Sequence, residues 1–300
     1  KNFMKIFDCF MYFDEDLLLD LRLSCLDKFI DYFVIVESKF NHNGQPKKLN
    51  FKKENFKKFE DKIIHLVQEC EPQGIEEIKQ SDNKLKKDQK YILNAGRREN
   101  AQRNIISKGL EKASSDDWII ISDLDEIPNL EFLNLKNIKE KFVFFKQDMM
   151  YYKFNLKFEN FEWIGSKACK KKDLKSPQWL RNIKDRRYPW WRLDIHFSSQ
   201  KYSNIKFVKN GGWHFSYLKT AEEIEHKLKS YLHHREYDLN PIGVEKIKNL
   251  ISEKKAIYNL CLDQSSNNKI GTGSSLVKVD IDKLPNYVIK NKLKLEKWLD

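Results

Sequence analysis

Two aspartates separated by one residue are the strongest chemical signal in the chain. Asp123-Leu124-Asp125-Glu126 follows the uninterrupted apolar run of residues 118–121, which predicts a deeply buried strand. Because a strand delivers alternate side chains to one face, we expect Asp123 and Asp125 to emerge together at the carboxyl edge of a sheet, where open α/β folds bind ligands. Two carboxylates there suit Mn²⁺ or Mg²⁺, which could hold the phosphates of a nucleotide. The alternative is a solvated acidic turn after the strand.

Arginine is the second informative residue type. The 300 residues include 56 Lys+Arg against 44 Asp+Glu, a formal net charge of +12, and only 9 of these cations are Arg. Lys is a strongly hydrated point charge, and its scatter along the chain indicates solvated surface, whereas the planar Arg fork grips phosphates and carboxylates. Seven Arg fall within residues 97–103 and 181–192. These two clusters are candidate anion sites.

The elements that must position these groups alternate between strand and helix. Hydrophobic periodicity predicts strands over 4–13, 32–36, 63–67, 118–121, 142–145 and 207–217, the last of them broken at Gly211-Gly212, and helices over 14–28, 89–113 and 220–237. The first strand, the first helix and the second strand form a βαβ unit. At the start of the last helix, Thr220 as N-cap and Glu223 at the third position predict a capping box.

The chain shows no sign of two autonomous domains. No internal repeat or compositional boundary divides it, and the weak periodicity of residues 163–200, which are rich in Trp and Arg, predicts long loops around a site. We therefore expect a single α/β domain over 1–300. Its nucleotide and metal site would lie in about residues 1–150, followed by a more variable half over 151–300.

Cysteine usage and hydropathy exclude several classes of protein. The five cysteines are far apart and include no C-x-x-C pair, so neither a disulfide framework nor a zinc ribbon is indicated. No apolar run approaches the roughly 20 residues of a membrane-spanning helix. With 40% hydrophobic residues, the chain can still bury a core. We expect a soluble cytoplasmic protein of microbial or viral origin, and an anchor upstream of Lys1 stays open.

Several short segments in a fixed order resemble one enzyme family. They are Asp8-Cys9-Phe10-Met11-Tyr12, Glu15, Leu21-Arg22-Leu23, Val34-Ile35-Val36-Glu37-Ser38, Gly44, Lys47, Arg98-Glu99, Ile121-Ser122-Asp123-Leu124-Asp125-Glu126-Ile127-Pro128 and Gly212-Trp213-His214-Phe215-Ser216. Together, over about residues 5–237, they resemble glycosyltransferase family 17, which includes the β-1,4-mannosyl-glycoprotein 4-β-N-acetylglucosaminyltransferases. The resemblance implies a GT-A fold, a Rossmann-like mixed sheet flanked by helices.

The same resemblance implies a reaction. An inverting transfer would move N-acetylglucosamine from UDP-N-acetylglucosamine, in β-1,4 linkage, to a hydroxyl of a glycan such as an N-glycan, a glycoprotein or a glycolipid. The cofactor would be a divalent metal, Mn²⁺ or Mg²⁺. The first half of the chain would bind the donor and the metal, and the second half and the C-terminal helices would face the acceptor.

Metal and donor roles follow from the resemblance residue by residue. Asp125 would coordinate the metal, and Asp123 would contact the metal or the ribose. His214, after two glycines that let the backbone approach a ligand, would be a third ligand or contact the diphosphate; a buried core histidine is the alternative. The remaining donor candidates are Glu37 for uridine or ribose, Arg98 for the nucleotide, and Arg97 and Arg103 on the same helix. Surface acids and solvent-facing arginines are the corresponding alternatives.

The acceptor side of the site is less specified by the sequence. An inverting transfer needs a base for the acceptor hydroxyl, and the candidates are Glu222 at a helix start, with Glu236 and Asp148 as rivals. Three tryptophans in polar surroundings are candidates for stacking on sugar rings: Trp190, Trp191 and Trp213. The second arginine cluster, with Arg181, Arg186, Arg187 and Arg192, would close over the diphosphate, meet an acidic acceptor, or simply lie in a solvated loop.

Other functions compete with this interpretation. An aspartyl-nucleophile phosphatase also places D-x-D after a strand. That class has the motif after an early strand, whereas here the pair lies in the middle of the chain. A nucleotidyltransferase would show a glycine-rich phosphate loop after the first strand, and residues 10–14 contain no glycine. A nucleic-acid-binding protein would use the basic charge, yet no recognised module is present, and we expect no specific nucleic-acid partner. A catalytically inactive carbohydrate-binding relative and a peripheral contact with a membrane carrying anionic glycolipid stay open.

Overall fold

A computed structural model describes residues 4–231, 234–258 and 273–300. Its strands are β1 Ile6–Met11, β2 Tyr32–Ser38, β3 Ile63–Gln68, β4 Trp118–Ile121, β5 Glu126–Pro128, β6 Phe142–Tyr151, β7 Leu156–Lys170, β8 Ile205–Val208, β9 Gly212–Ser216 and β10 Leu276–Lys278. Its α-helices are α1 Asp16–Leu26, α2 Lys84–Asn104, α3 Ile106–Gly109, α4 Pro177–Asn182, α5 Asp194–Phe197, α6 Ala221–Ser230, α7 His234–Leu239, α8 Gly243–Ser252 and α9 Asn286–Lys290. Short 3₁₀ segments cover Lys53–Phe59, Leu135–Asn137, Lys171–Asp173, Ile281–Lys283 and Glu296–Trp298.

One mixed sheet runs through both halves of the chain. Its strand order is β3-β2-β1-β4-β7-β6-β9-β5, with β8 beside β6 and β10 beside β7. The first four strands are parallel, and β7 pairs antiparallel with β4. The parallel strands are apolar because helices cover both of their faces. Since parallel strands end at the same edge, residues that follow β1, β2 and β4 are brought together. The α/β class predicted from the sequence is confirmed.

The core is divided by this sheet into two layers. Phe10 and Ile120 pack with α1 on one face, whereas Cys9 and Ile121 pack with α3 on the other, as the two-residue period of a strand requires. A third apolar cluster joins β6 to α6, α7 and α8 in the second half of the chain. None of the helices in the described parts of the chain has the length and apolar character that a membrane span requires.

The expectation of long loops over residues 163–200 is wrong for the first part of that range. β7 is a strand of 15 residues that continues to Lys170, and α4 follows it. The apolar pattern of the strand is hidden because Ser166 and Lys167 are buried polar residues. Strand β7 borders both β4 and β6, so it joins the two halves of the sheet.

Several predicted boundaries also change. The predicted helix over 89–113 is two helices, α2 beginning at Lys84 and α3 ending at Gly109. The break predicted at the glycine pair within 207–217 is confirmed, since β8 ends at Val208 and β9 begins at Gly212. The capping box at Thr220 is confirmed, but α6 ends at Ser230 and does not continue to 237.

Candidate active site

A cleft of about 840 Å³ opens at the carboxyl edge of the parallel strands. It is lined by residues that follow β1, β2 and β4, by Glu99 of α2, and by side chains of β6, β7, β9 and α6. Both Asp123 and Asp125 face it, together with His214. This is the position at which a ligand is expected in a sheet of this kind.

The two aspartates reach the cleft from a turn, which we call the acidic turn (residues 123–125). β4 ends at Ile121, before the aspartates, and β5 begins at Glu126. Leu124 points into the core, and the aspartates on either side of it point into the cleft. Strand alternation therefore predicted the shared orientation of the two carboxylates, although the local structure that produces it is a turn.

A buried arginine that the sequence analysis gave no role holds the acidic turn in place. Arg22 of α1 donates from Nε and Nη2 to the carboxylate of Asp8, at 2.7 and 2.6 Å. Its Nη1 donates to the main-chain oxygens of Asp123, Leu124 and Glu126, at 3.0, 3.2 and 2.7 Å. Arg22 and Asp8 are both fully buried. One guanidinium thus fixes three carbonyls of the turn, which is possible because its donors form a rigid planar fork.

Asp123 is neutralised by two arginines from distant parts of the chain. Its Oδ1 accepts from Arg103 Nη2 at 2.8 Å and its Oδ2 accepts from Arg181 Nη2 at 2.9 Å. Burial by itself would raise the pKa of Asp123, but the guanidinium groups of Arg181 and Arg103 outweigh it and hold that pKa well below its usual range. The first and second arginine clusters therefore meet at one carboxylate.

Glu126 is the buried partner of the second cluster. Arg181 Nη1 donates to its Oε2 at 2.8 Å, and the indole Nε1 of Trp163 donates to its Oε1 at 2.6 Å. Arg181 also donates to the carbonyl oxygen of Gly165. A Cβ at Gly165 would lie 2.2 Å from the Glu126 carboxyl carbon, so only glycine fits there. The carboxylate, the arginine and the indole form one connected network.

Asp125 has a different set of neighbours, which also face the cleft. Its Oδ1 lies 3.5 Å from His214 Nε2, and its Oδ2 lies 3.7 Å from Lys227 Nζ. Lys227 also approaches Glu15 at 3.3 Å. Burial would raise the pKa of Asp125, but the nearby His214 and Lys227 lower that pKa. Burial would lower the pKa of His214, but the negative charge of Asp125 outweighs burial and raises that pKa.

The register of β9 explains why its histidine faces the cleft and its tryptophan does not. His214 pairs with Glu126 of β5, and Trp213 pairs with Ile127. Adjacent strand residues face opposite sides, so Trp213 packs against the core, where its Nε1 donates to the Lys283 carbonyl at 3.0 Å. Gly212 allows this close pairing, because its φ is +124° and a Cβ would lie 2.1 Å from the Ile127 carbonyl oxygen.

Among the described residues, Asp125 and His214 are the pair that fits a divalent metal in the cleft. Both side chains face the cleft, and carboxylate with imidazole suits Mn²⁺. Asp123 offers no comparable donor, since both of its oxygens accept from guanidinium groups. No group of three or more His, Cys, Asp or Glu in the described chain could hold a metal ion. A metal here would therefore take further ligands from a bound substrate or water, as Mg²⁺ does at phosphate sites.

Aromatic side chains form one wall of the cleft, which we call the aromatic wall. Tyr151, Phe161, Trp163 and Tyr217 line it, and the ring of Trp163 lies 5.2 Å from that of His214. Trp163 had no predicted role, because it lies in the range predicted to be loop. A wall of this kind can stack on the apolar face of a sugar ring.

The structure places the other donor candidates outside the cleft wall. Glu37 is fully buried behind it; its carboxylate accepts from Lys47 Nζ at 2.7 Å and from the amides of Asn50 and Phe51, at 2.6 and 3.1 Å. Burial would raise the pKa of Glu37, but hydrogen bonds from His65, Lys47 and the Asn50 amide lower it. Lys47 does line the cleft, so Glu37 contacts a cleft residue without lining the cleft itself.

The arginines of the first cluster separate by position on α2. Arg98 donates from Nε to both carboxylate oxygens of Glu71, at 3.0 and 2.9 Å, and from Nη1 to the His42 carbonyl at 3.2 Å. Arg97 pairs with Glu76 at 2.9 Å and is partly exposed. Of the three, only Arg103 contacts the acidic turn. Arg97 and Arg98 have different partners because adjacent residues of a helix point in different directions.

Two of the three base candidates, Glu222 and Asp148, do not line the cleft. Glu222 pairs with Lys248 at 3.1 Å on the surface of α6, and Asp148 pairs with Lys157 at 2.5 Å. The side chain of Glu236 lies outside the described residues, so this prediction stays as it was. The carboxylates that line the cleft in the described chain, apart from Asp123, Asp125 and Glu126, are Glu15 and Glu99.

The arginines of the second cluster, like those of the first, include one that contacts the acidic turn and others that do not. Arg181 is part of the Asp123 and Glu126 network, whereas Arg192 pairs with Asp194 at 2.9 Å on the surface. Arg187 donates to the Ile205 carbonyl, and Arg186 lies over the ring of Tyr188. Trp190 and Trp191 are exposed on the same segment, away from the cleft.

A smaller cavity of about 300 Å³ adjoins the cleft. Glu99 and Trp163 line both spaces, and Arg103, Arg181, Lys167 and Asp185 line the smaller one. Lys167 is buried; it pairs with Asp185 at 2.5 Å and donates to the carbonyls of Arg181 and Ile183, at 2.7 and 2.6 Å. This lysine ties the end of α4 to β7, and so fixes where Arg181 lies.

Comparison with known proteins gives one family. The model of glycosyltransferase family 17 matches residues 1–299 of the chain. No curated protein matches it.

Proposed function

The chain belongs to glycosyltransferase family 17 and is therefore a glycosyltransferase, and we propose that it moves N-acetylglucosamine from UDP-N-acetylglucosamine to a glycan hydroxyl. The proposed linkage is β-1,4, formed with inversion at the anomeric carbon. One observation carries the proposal: the acidic turn and its cations face a cleft at the carboxyl edge of the parallel strands. Family membership favours this reaction class over nucleotidyl transfer or nucleic-acid binding.

We assign the sheet to the GT-A type on its topology. The parallel order β3-β2-β1-β4 and the mixed strands that follow it support a Rossmann-like donor half joined to an acceptor half. In this arrangement the nucleotide would lie over the ends of β1 and β2. The sugar would point toward the aromatic wall, with Trp163 and Tyr217 on its apolar side.

Departure of the nucleoside diphosphate requires positive charge at the acidic turn. We propose that Asp125 and His214 hold Mn²⁺, which when bound would neutralise charge on the leaving diphosphate. Lys227 contributes a second cation, since its ammonium lies between Asp125 and Glu15 and faces the cleft. Asp123 serves a different purpose: with Arg103 and Arg181 it gives the turn a fixed charge arrangement that does not reorganise during the reaction.

The acceptor hydroxyl must lose a proton as it attacks. We propose Glu15 or Glu99 as the group that accepts it, because both carboxylates line the cleft outside the acidic turn. Gln substitutions distinguish them: the substitution at the base should lower kcat about 100-fold or more, and the other should have a much smaller effect. Glu222→Gln, on the exposed surface of α6, serves as the matched control. A loss only in Glu222→Gln would return the base to its predicted position.

A donor panel tests the proposal as a whole. UDP-N-acetylglucosamine, UDP-galactose, UDP-glucose and GDP-mannose are titrated into the protein with Mn²⁺, and binding is measured by calorimetry. The expected result is tight binding of the UDP-N-acetyl sugar and weaker binding of the others. Binding of GDP-mannose alone would contradict the proposed donor, and binding of none would contradict the assignment of the cleft to the donor.

A further inference from the structure

Four large apolar side chains are exposed within eight residues of the second half of the chain. Trp190, Trp191, Leu193 and Phe197 are 73%, 67%, 77% and 91% exposed. We call residues 184–201, which carry them, the exposed segment. In the rest of the described chain, no other stretch of eight residues has four large apolar side chains of this kind. Soluble surfaces rarely present such contiguous apolar area without a partner.

Cations surround these apolar side chains. Between residues 184 and 201 the basic residues are Lys184, Arg186, Arg187, Arg192 and Lys201, and the acidic residues are Asp185 and Asp194, so five minus two leaves a charge of +3. Both acids are already paired, Asp194 with Arg192 at 2.9 Å and Lys201 at 2.7 Å, and Asp185 with Lys167 at 2.5 Å. The remaining charge is therefore free to attract an anionic partner.

We propose that the exposed segment binds the surface of a membrane that contains anionic lipids. Tryptophan side chains are favoured at the boundary between lipid and water, and Leu and Phe side chains insert into the acyl region. Nearby Arg and Lys side chains bind the negatively charged head groups. The segment presents all three groups on one short stretch of chain. Binding of this kind needs no membrane-spanning helix.

Two other occupants fit the observations less well. A second copy of this chain would bring a patch of charge +3 against the same patch, since a two-fold interface pairs a surface with itself, and like charges oppose that contact. A glycan would stack on flat aromatic platforms, but the Trp190 and Trp191 rings are nearly perpendicular, at 87°, and Leu193 and Phe197 have no polar atoms for sugar hydroxyls. An anionic lipid surface fits both the charge and the apolar side chains.

One end of the exposed segment lies near the cleft, so membrane binding would bring a lipid-linked acceptor close to the donor site. Arg181 and Asp185 line the smaller cavity, which shares Glu99 and Trp163 with the cleft. A membrane held at the exposed segment would lie near that cavity, and a lipid-linked glycan in the membrane would be close to the donor. This use rests on the proposed function, whereas membrane binding itself does not depend on it.

Vesicle co-sedimentation tests the binding without any donor or metal. The protein is mixed with phosphatidylcholine vesicles, with and without about 30% phosphatidylserine. We expect binding to the anionic vesicles that weakens with salt. Leu193→Ser with Phe197→Ser should reduce the partition coefficient about tenfold or more, because the apolar contact with lipid is lost. Arg186→Gln with Arg187→Gln should reduce it about fivefold for each charge.

The chain offers a control matched in residue type. Leu293 and Phe132 are 84% and 92% exposed but lie outside the segment, so Leu293→Ser with Phe132→Ser should leave vesicle binding unchanged. Thermal unfolding of all variants checks that the fold is intact. The proposal is overturned if the wild type does not bind anionic vesicles, or if the control double substitution weakens binding as much. It is also overturned if the protein is a dimer that Leu193→Ser with Phe197→Ser dissociates.

Discussion

Arginines occur in two contrasting settings in this protein, around the acidic turn and along the exposed segment. Arg22, Arg103 and Arg181 are buried or nearly so, and each contacts at least one carboxylate and other acceptors. Arg186, Arg187 and Arg192 lie at the surface, where their partners are a ring, a carbonyl and a neighbouring acid. The comparison shows that the same residue type fixes a site in one region and leaves charge available to a partner in the other.

The physical reason for this contrast is desolvation. A buried guanidinium must have its donors satisfied by the protein, so its position is fixed by the groups around it, and those groups by the arginine. At the surface, water satisfies the same donors and an ion pair contributes little to stability. Substitutions in the two regions should therefore differ in what they change.

The largest effect is expected from the buried pair of Arg22 and Asp8. Arg22→Met leaves the Asp8 carboxylate buried without a partner and frees three carbonyls of the acidic turn, so the free energy of unfolding should fall by about 3–5 kcal/mol. Urea unfolding measures it, with Arg186→Met as the surface control. If the two variants unfold at the same urea concentration, the role assigned to Arg22 is wrong. Adding Asp8→Asn to Arg22→Met should restore part of the loss.

A smaller effect is expected where the arginine contacts two carboxylates at once. Arg181→Lys keeps the charge but cannot reach both Asp123 and Glu126, because an ammonium has no planar fork. We expect kcat for nucleotide release to fall about 10- to 100-fold. Arg192→Lys should have no measurable effect, since Arg192 pairs only with Asp194 at the surface. Equal rates in the two variants would remove Arg181 from the site.

Two tryptophans allow the same comparison between a buried network and the exposed segment, because Trp163 donates one hydrogen bond to Glu126 whereas Trp190 is exposed. Trp163→Phe removes the bond from the indole to buried Glu126 and should lower the free energy of unfolding by about 1–3 kcal/mol. Trp190→Phe, at an exposed position, should leave unfolding unchanged. Calorimetric unfolding distinguishes the two, and an unchanged melting temperature in Trp163→Phe would contradict the network around Glu126.

The smallest expected effect is on how the free energy of unfolding depends on pH, compared between the wild type and Asp123→Asn. Because the folded pKa of Asp123 lies below its unfolded value of about 4, its contribution to stability is present above pH 4 and is lost as the pH falls through the folded pKa. Between about pH 4 and pH 3, the free energy of unfolding should fall more in the wild type than in Asp123→Asn, by less than about 1 kcal/mol because solvent screens the partly exposed carboxylate.

Asp194 is about as exposed as Asp123, and hydrogen bonds from Arg192 and Lys201 lower its pKa to about 2. The partners differ: Arg103 and Arg181 are largely buried, whereas Arg192 and Lys201 lie at the surface. High salt should therefore weaken the pH dependence that comes from Asp194 more than the one that comes from Asp123, because largely buried partners are screened less. Urea unfolding across pH at low and high salt measures both. If salt removes both dependences equally, the burial of Arg103 and Arg181 does not protect their pairing with Asp123.

Much of the donor half could be predicted from the sequence. The apolar runs of β1, β2 and β4 are continuous because those strands are buried on both faces, and this made the order of elements and the acidic turn visible. The capping box at Thr220 was predictable because it depends on residues three positions apart. Local pattern was sufficient wherever local interactions determine the structure.

Residues that depend on distant contacts could not be predicted. Arg22 contacts carbonyls about a hundred residues away in the chain, and Glu126 meets Trp163 and Arg181 only because β7 and α4 fold over it. Glu37 looked like a free acid at a strand end, but the amides of Asn50 and Phe51 and the ammonium of Lys47 satisfy it. No periodicity in the sequence records contacts of this range.

Nucleotide release from UDP-N-acetylglucosamine with Mn²⁺ tests the central claim that the acidic turn is the donor site. The wild type is compared with Asp125→Asn and with Asp116→Asn, which removes an exposed carboxylate paired with Lys172 before the other end of β4. We expect a fall of about 100-fold or more for Asp125→Asn and no change for Asp116→Asn. Equal release by Asp125→Asn and the wild type would contradict that claim.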